Sequence, residues 1–224
     1  MRPAGISAVL AVSGLAKSFE GSGPAFRDLD ITVGAGDLVV VTGRRESGKT
    51  SVLRCLGGTY LPSAGTVVLA VDGHHADLAT ALPRTLAWIR RQHMAIFDGP
   101  LVAPPSQSVA TAVARAAQVS REDGLRAMER LGAGQLADEA LGRLRPAQRR
   151  SVALAAALAA PARLLLLDEP ESVADPGLLA GWFEARRADG TSIVVAARAG
   201  SAFCEHATTV IHLDAIHLDE GRQT

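Results

Sequence analysis

Lysine is almost absent from this chain, which carries it at only two positions, Lys17 and Lys49. Every other permanently cationic side chain is arginine. The chain also lacks net charge, because 23 lysines and arginines balance 23 aspartates and glutamates. Proteins that bind nucleic acid through its phosphates present a basic surface, and an even charge balance gives no sign of one. No nucleic-acid partner is therefore predicted.

Cysteines and long apolar runs are also scarce. Cys55 and Cys204 lack metal-ligand spacing and lie in apolar helical patterns, so we expect buried free thiols in a reducing compartment. The longest apolar stretch, residues 152–167, is interrupted by Pro161 and Arg163 and is not predicted to cross a membrane. The apolar run near the N-terminus is too short for a signal peptide. We expect a cytoplasmic protein, either free or peripheral at the inner membrane.

One of the two lysines closes a short run bounded by glycines. The run is Gly43, Arg44, Arg45, Glu46, Ser47, Gly48, Lys49 and Thr50. It matches G-x-x-x-x-G-K-S/T, the phosphate-binding P-loop. Its glycines let backbone N–H groups face an anion, and Lys49 is a compact charge that can reach the β- and γ-phosphates. Thr50 offers a hydroxyl to Mg²⁺, and Ser51 belongs to the helix start that faces the same phosphates.

A second phosphate-related pattern follows far downstream. Four leucines at positions 164–167 precede Asp168 and Glu169, which predicts a buried strand that delivers two carboxylates to one spot. Asp168 suits the coordination shell of a nucleotide-bound Mg²⁺, and Glu169 suits a general base that polarises the attacking water. The two patterns together predict ATP and Mg²⁺ as cofactors.

Strands and helices alternate through most of the chain. Strands are predicted near residues 8–12, 29–33, 37–42, 65–71, 94–97, 164–167, 192–196 and 209–213, and helices near 50–56, 82–91, 109–119 and 121–131. Such alternation predicts a largely parallel α/β sheet that binds ligands at the carboxyl ends of its strands. Residues 99–145 contain two successive predicted helices and no predicted strand. They are interpreted as a helical insertion within a single domain that covers residues 1–224.

The pattern as a whole resembles the ATPase subunits of the ATP-binding-cassette family, from about residue 12 to residue 221. Asp168, Glu169 and Pro170 resemble the Walker B motif, and Asp175 falls in the D-loop. Phe19 stands where the family stacks an aromatic ring on adenine. The resemblance implies a P-loop NTPase fold with an antiparallel β subdomain and a helical insertion. It also implies a second cassette chain, identical or different, which closes head to tail over two ATP molecules.

Three family positions are altered in this chain. The signature loop, usually Leu-Ser-Gly-Gly-Gln, reads Leu144-Arg145-Pro146-Ala147-Gln148. The resemblance implies that Arg145 and Gln148 face the nucleotide of the partner, although Pro146 has no N–H to donate. The Q-loop glutamine is replaced by Asp98, which joins Thr50 and Asp168 as a candidate Mg²⁺ ligand. The switch histidine position falls on Ala197, which cannot bond a phosphate.

Two hypotheses on activity follow from these changes. In the first, the chain binds ATP and Mg²⁺ but hydrolyses ATP slowly or only in a composite site. In the second, Arg145 acts on the partner's γ-phosphate as an arginine finger would.

The chain is also similar to a narrower subgroup, the PhnL-type ATP-binding subunits of the bacterial carbon–phosphorus lyase system that breaks down phosphonates. The similarity lies in residues 59–65, 77–84, 89–91 and 102–104. It implies that the chain docks on the lyase core and a second cassette. Two alternatives stay open. One is the nucleotide-binding subunit of a membrane transporter, docked on a transmembrane permease. The other is a regulatory pseudo-ATPase that uses nucleotide only for assembly.

Overall fold

The computed structural model describes residues 8–21 and 23–213 of the chain. The strands are β1 (Ala8–Phe19), β2 (Gly23–Gly34), β3 (Leu38–Gly43), β4 (Ala64–Val71), β5 (His74–Asp77), β6 (Met94–Phe97), β7 (Leu164–Asp168), β8 (Ser192–Arg198) and β9 (Thr209–Leu213). The helices are α1 (Lys49–Leu56), α2 (Pro83–His93), α3 (Val109–Ala117), α4 (Arg121–Arg130), α5 (Pro146–Ala159), α6 (Pro176–Ala188) and α7 (Phe203–His206).

A parallel sheet with the strand order β6-β7-β8-β3-β9 forms the centre of the fold. Helices cover both of its faces, so its inner strands have continuous apolar runs. The four leucines of β7 and the valines of β3 are almost fully buried. In this parallel arrangement β3 and β7 end at the same edge of the sheet, which brings the P-loop to the acids that follow β7.

A second sheet is antiparallel and has the order β2-β1-β4-β5. Its apolar side chains pack with those of α1 and with one face of the parallel sheet in a shared core. The other face of the parallel sheet packs with α3, α4, α5 and α6 in a second core. These two layers confirm the predicted α/β fold of a P-loop NTPase with an antiparallel β subdomain and a helical segment. That residues 99–145 form a subdomain of a single ATPase domain stays a prediction.

The first two strands are longer than the short runs at 8–12 and 29–33. β1 continues through the strand-like pattern of residues 12–19 to cover Ala8–Phe19, whereas β2 covers Gly23–Gly34 and so begins well before its predicted run. Gly14 has a φ of 56° at an irregularity in the pairing of β1 with both of its neighbours. A bulge of this kind interrupts the alternating pattern without ending the strand.

The C-terminal part of the chain is described only as far as β9. The resemblance to cassette ATPases, which extends to about residue 221, implies a strand pair over residues 210–221, and its second strand lies outside the described residues. Within the described ranges, no helix combines the length and the apolar character needed to cross a membrane.

Candidate functional site

The P-loop connects the end of β3 with the start of α1. Gly48 precedes α1 with a φ of 90°, and a Cβ atom there would lie 2.6 Å from the carbonyl oxygen of Ala25. A Cβ atom on Gly43 would lie 2.5 Å from the carbonyl oxygen of Leu213. Both positions therefore require glycine. The loop forms a narrow cradle, and the free N–H groups of the first turn of α1, which includes Ser51, point out of the helix toward it.

Lys49 is buried inside this loop and is only 5% exposed. Its Nζ donates hydrogen bonds to the carbonyl oxygens of Gly43 and Arg44, at 3.1 and 2.6 Å, and lies 3.5 Å from Oγ of Ser47. These two carbonyl oxygens are neutral acceptors, so they orient the ammonium group without forming an ion pair with it. The cradle thus combines a fixed cation with backbone donors, which fits the triphosphate tail of a nucleotide.

The remaining loop residues face solvent. Arg45 and Glu46 form an ion pair at 3.9 Å, with side chains that are 96% and 88% exposed. Such an exposed pair contributes little stability. Arg44, Arg45 and Glu46 therefore belong to the candidate site through their backbone rather than through their side chains.

Thr50 and Asp168 meet although 118 residues separate them in the chain. The Thr50 hydroxyl lies 2.9 and 3.2 Å from the two carboxylate oxygens of Asp168. Burial raises the pKa of the Asp168 carboxyl, and the hydrogen bond from Thr50 partly opposes this. A hydroxyl and a carboxylate at the edge of a phosphate cradle are the oxygen ligands that Mg²⁺ takes beside a nucleotide. These two residues therefore fit the predicted metal position.

Glu169 follows β7 in a constrained conformation. Its φ is 46°, which is uncommon for a residue with a side chain, and its N–H donates to the carbonyl oxygen of Ala196 at 2.8 Å. Its Oε2 accepts a hydrogen bond from Nε of Arg198 at 3.1 Å. The backbone of the candidate base is thus fixed next to Asp168, and its carboxylate has an arginine as its partner.

The assignment of the switch position to Ala197 stays a prediction, and the structure shows how this residue and its neighbour are placed. Ala197 is fully buried inside β8, so its side chain packs in the core and does not face the loop. Arg198 ends β8, has an exposed side chain and contacts Glu169. Residues 193–197 are all apolar and residue 198 is charged, and this change was the signal in the sequence that could have indicated Arg198.

Asp98 follows β6 and accepts a hydrogen bond from Nε of Arg54 at 3.2 Å. Arg54 also donates to the Tyr60 hydroxyl at 2.7 Å. The structure therefore pairs Asp98 with an arginine, whereas Thr50 and Asp168 contact each other. The role of Asp98 as a Mg²⁺ ligand stays a prediction, and its ion pair with Arg54 argues against it.

Phe19 ends β1 with a ring that is 37% exposed. It packs edge to face on Tyr60 with 5.5 Å between ring centroids, and Nζ of Lys17 lies 5.1 Å from its centroid. Tyr60 is the only tyrosine in the chain, and sequence reasoning gave it no role. It links the candidate adenine-stacking ring to Arg54 and hence to Asp98.

The altered signature residues form the start of α5. Pro146 is the first residue of the helix, as its fixed φ favours, and the N–H of Arg145 donates to Oε1 of Gln148 at 2.9 Å. Gln148 therefore caps its own helix, while the Arg145 side chain is exposed. Asp175 similarly caps α6 by accepting the N–H of Leu178 at 3.0 Å. The structure gives Gln148 and Asp175 local capping roles, and contacts of either residue with a partner's nucleotide stay predictions.

Comparison with known proteins places this geometry in a family. The family model described as "ABC transporter" matches residues 26–172. The chain belongs to this family. Among curated relatives, the chain is 33% identical to "Phosphonates import ATP-binding protein PhnC 1" of Natronomonas pharaonis over 75% of this chain and 72% of that protein. It is also 33% identical to "Cytochrome c biogenesis ATP-binding export protein CcmA" of Bordetella parapertussis over 84% of each chain.

The structural comparison supports the same fold. The ATP-binding cassette MJ0796, solved as a dimer in a post-hydrolysis state bound to ADP and Pi, superposes with a TM-score of 0.76 at 20% identity, over 92% of this chain and 94% of that one. The chain is thus an ABC-type nucleotide-binding subunit, in a family that binds ATP with Mg²⁺.

Proposed function

We propose that this subunit binds ATP and Mg²⁺ and hydrolyses ATP slowly, or only in a site completed by a second cassette chain. The observation that carries the proposal is the buried Lys49 ammonium inside a glycine-bounded loop, next to the Thr50–Asp168 pair. Lys49 and the loop N–H groups would hold the phosphates, and Thr50 and Asp168 would hold the metal. When bound, Mg²⁺ would neutralise part of the phosphate charge that develops during attack by water. Glu169 would orient and deprotonate that water.

Weak hydrolysis is proposed because several groups that would contact a terminal phosphate are changed. Arg145 and Pro146 replace a hydroxyl and a flexible glycine in the signature, and Asp98 is paired with Arg54. The position predicted for the switch histidine is Ala197, which has no polar side chain. The phosphate cradle and the Thr50–Asp168 pair are intact. We therefore expect this chain to bind the nucleotide although it hydrolyses ATP slowly.

Two variants test this proposal. Lys49→Ala removes the ammonium from the loop and is expected to weaken ATP·Mg²⁺ binding at least tenfold, measured by titration calorimetry. Glu169→Gln keeps the shape of the base and is expected to leave binding intact. A low wild-type hydrolysis rate is expected. Arg121→Ala, which removes an exposed arginine from α4, is the control. A robust wild-type rate that Glu169→Gln abolishes would contradict weak hydrolysis, and unchanged ATP binding in Lys49→Ala would contradict the proposed site.

A transporter subunit is the physiological role that the comparisons favour, since the curated relatives are named as import and export proteins. A groove of about 990 Å³ supports it, because it runs between β6, α3 and α5 and is lined by Asp98, Val102 and Arg115. Val102 is 90% exposed there, which suits a surface that a partner covers. We therefore infer that a transmembrane permease binds this groove.

The evidence for a lyase-associated role is the PhnL-like residues alone. The evidence for a regulatory pseudo-ATPase is the altered signature. Pull-down from native membranes separates these roles. Recovery of an integral membrane protein would support the transporter role, whereas recovery of soluble lyase components would contradict it.

A further inference from the structure

Arg198 lies directly beside the start of the P-loop. β8 runs parallel to β3, and Arg198 is in register with Gly43, the first residue of the loop. The hydroxyl of Thr42 donates to the carbonyl oxygen of Arg198 at 3.0 Å. Adjacent strands are about 4.8 Å apart, which is within the length of an arginine side chain. The strand register therefore places a permanent cation at the edge of the phosphate cradle.

The backbone of Arg198 is fixed, but its side chain is exposed. Its N–H donates to Oε1 of Glu171 at 3.2 Å, and burial raises the pKa of that carboxyl. The side chain of Arg198 is 68% exposed and forms an ion pair with Glu169 at 3.1 Å. An ion pair at that exposure contributes little stability, so it breaks readily when a stronger anion arrives.

The terminal phosphate of a nucleoside triphosphate is such an anion. It carries more charge than one carboxylate, and its oxygens match the planar fork of a guanidinium. A diphosphate ends one group earlier and offers no such partner. The same arginine therefore has two competing partners, a carboxylate in the absence of the terminal phosphate and the phosphate in its presence.

We propose that Arg198 binds the terminal phosphate of ATP in exchange for Glu169, so that this one side chain distinguishes ATP from ADP and frees the carboxylate of Glu169 only when ATP is bound. The inference rests on the proposed nucleotide site. It assigns the sensing of the terminal phosphate to an arginine of this chain rather than to Arg145 acting on a partner's nucleotide.

The ratio of the ATP and ADP affinities tests this inference. Dissociation constants for ATP·Mg²⁺ and ADP·Mg²⁺ are measured by calorimetry on wild type, Arg198→Ala and Arg198→Gln. Wild type is expected to prefer ATP, and both variants are expected to lose roughly tenfold or more in ATP affinity while ADP affinity stays within about twofold. Because the side chain is exposed, the variants are expected to fold, which circular dichroism and thermal unfolding check.

Arg121→Ala is a matched control, since Arg121 is 55% exposed and pairs with Asp138 at 2.8 Å. It is expected to keep the wild-type ratio. An unchanged ratio of ATP and ADP affinities in Arg198→Ala and Arg198→Gln, or an equal loss of affinity for both nucleotides, overturns the inference. In either case the proposed function still stands if wild type binds ATP·Mg²⁺. If wild type binds neither nucleotide, the proposed function and this inference fall together.

Discussion

Cys55 lies on the buried face of α1, near the end of the helix that begins at Lys49, and is 1% exposed. Burial raises the pKa of this thiol to about 11, because the thiolate would be poorly solvated there. The protonated form is therefore favoured in the folded state. This makes the thiol unreactive near neutral pH and makes the stability of the fold depend on pH in the alkaline range.

We expect the free energy of unfolding of wild type to fall between pH 9.0 and about 11, by on the order of 2 to 3 kcal/mol from this thiol. Within that window the unfolded chain releases the thiol proton and the folded chain retains it. Urea unfolding of wild type and Cys55→Ala at several pH values measures the effect as a difference in slope. Cys204→Ala is the control, because that thiol is only partly buried. Parallel pH curves for wild type and Cys55→Ala would contradict this account.

At the scale of elements, the loop between β3 and α1 depends on a glycine for two separable reasons. Gly48 has a φ of 90°, and a Cβ atom there would also press on the carbonyl oxygen of Ala25 at 2.6 Å. Gly73, between β4 and β5, has a similar φ of 82° but nothing within 4 Å of its hypothetical Cβ. The two positions therefore share the conformational requirement and differ in the close contact.

We expect Gly73→Ala to lower the free energy of unfolding by about 1 to 2 kcal/mol, the cost of a left-handed conformation. Gly48→Ala is expected to lower it further and to weaken ATP binding, because the backbone of Ala25 or the loop must move. Urea unfolding compares the two variants, and calorimetry follows their nucleotide binding. Equal losses of stability would show that the contact with Ala25 is unimportant.

The elements differ in how well the sequence predicts them. β3, β7 and β8 are buried on both faces, so their continuous apolar runs are unambiguous. β5 was not predicted, since its short run of polar residues is stabilised by pairing with β4 rather than by any pattern of its own. Extended pairing with β1 similarly explains the unpredicted length of β2.

The candidate site likewise has parts that the sequence predicts and parts that it does not. The P-loop and the acids after β7 are local patterns, and the structure brings them together where parallel strands end. The Glu169–Arg198 and Arg54–Asp98 pairs join residues 29 and 44 positions apart, and neither has a spacing that indicates contact. Such pairs become visible only when strand register and side-chain direction are known.

At the scale of the whole molecule, the start of α5 limits what the chain can do alone. The resemblance to cassette ATPases implies that this loop contacts the nucleotide held by a partner chain. Here Pro146 lacks an N–H, and the N–H of Arg145 is already bonded to Gln148. Two copies of this chain would therefore offer each other few donors, whereas a partner with an unaltered signature could complete the nucleotide site of this chain.

We accordingly expect Glu169→Gln, in which any hydrolysis is suppressed, to stay monomeric in ATP·Mg²⁺. Adding Arg145→Ser, Pro146→Gly and Ala147→Gly restores a hydroxyl and the missing N–H, and ATP-dependent dimers are expected from that variant. Light scattering coupled to size-exclusion chromatography measures the mass, with ADP·Mg²⁺ as the control. ATP-dependent dimers of Glu169→Gln itself that disappear on adding Arg145→Ala would contradict this expectation, because they would show that the Arg145 guanidinium replaces the lost donors across the interface.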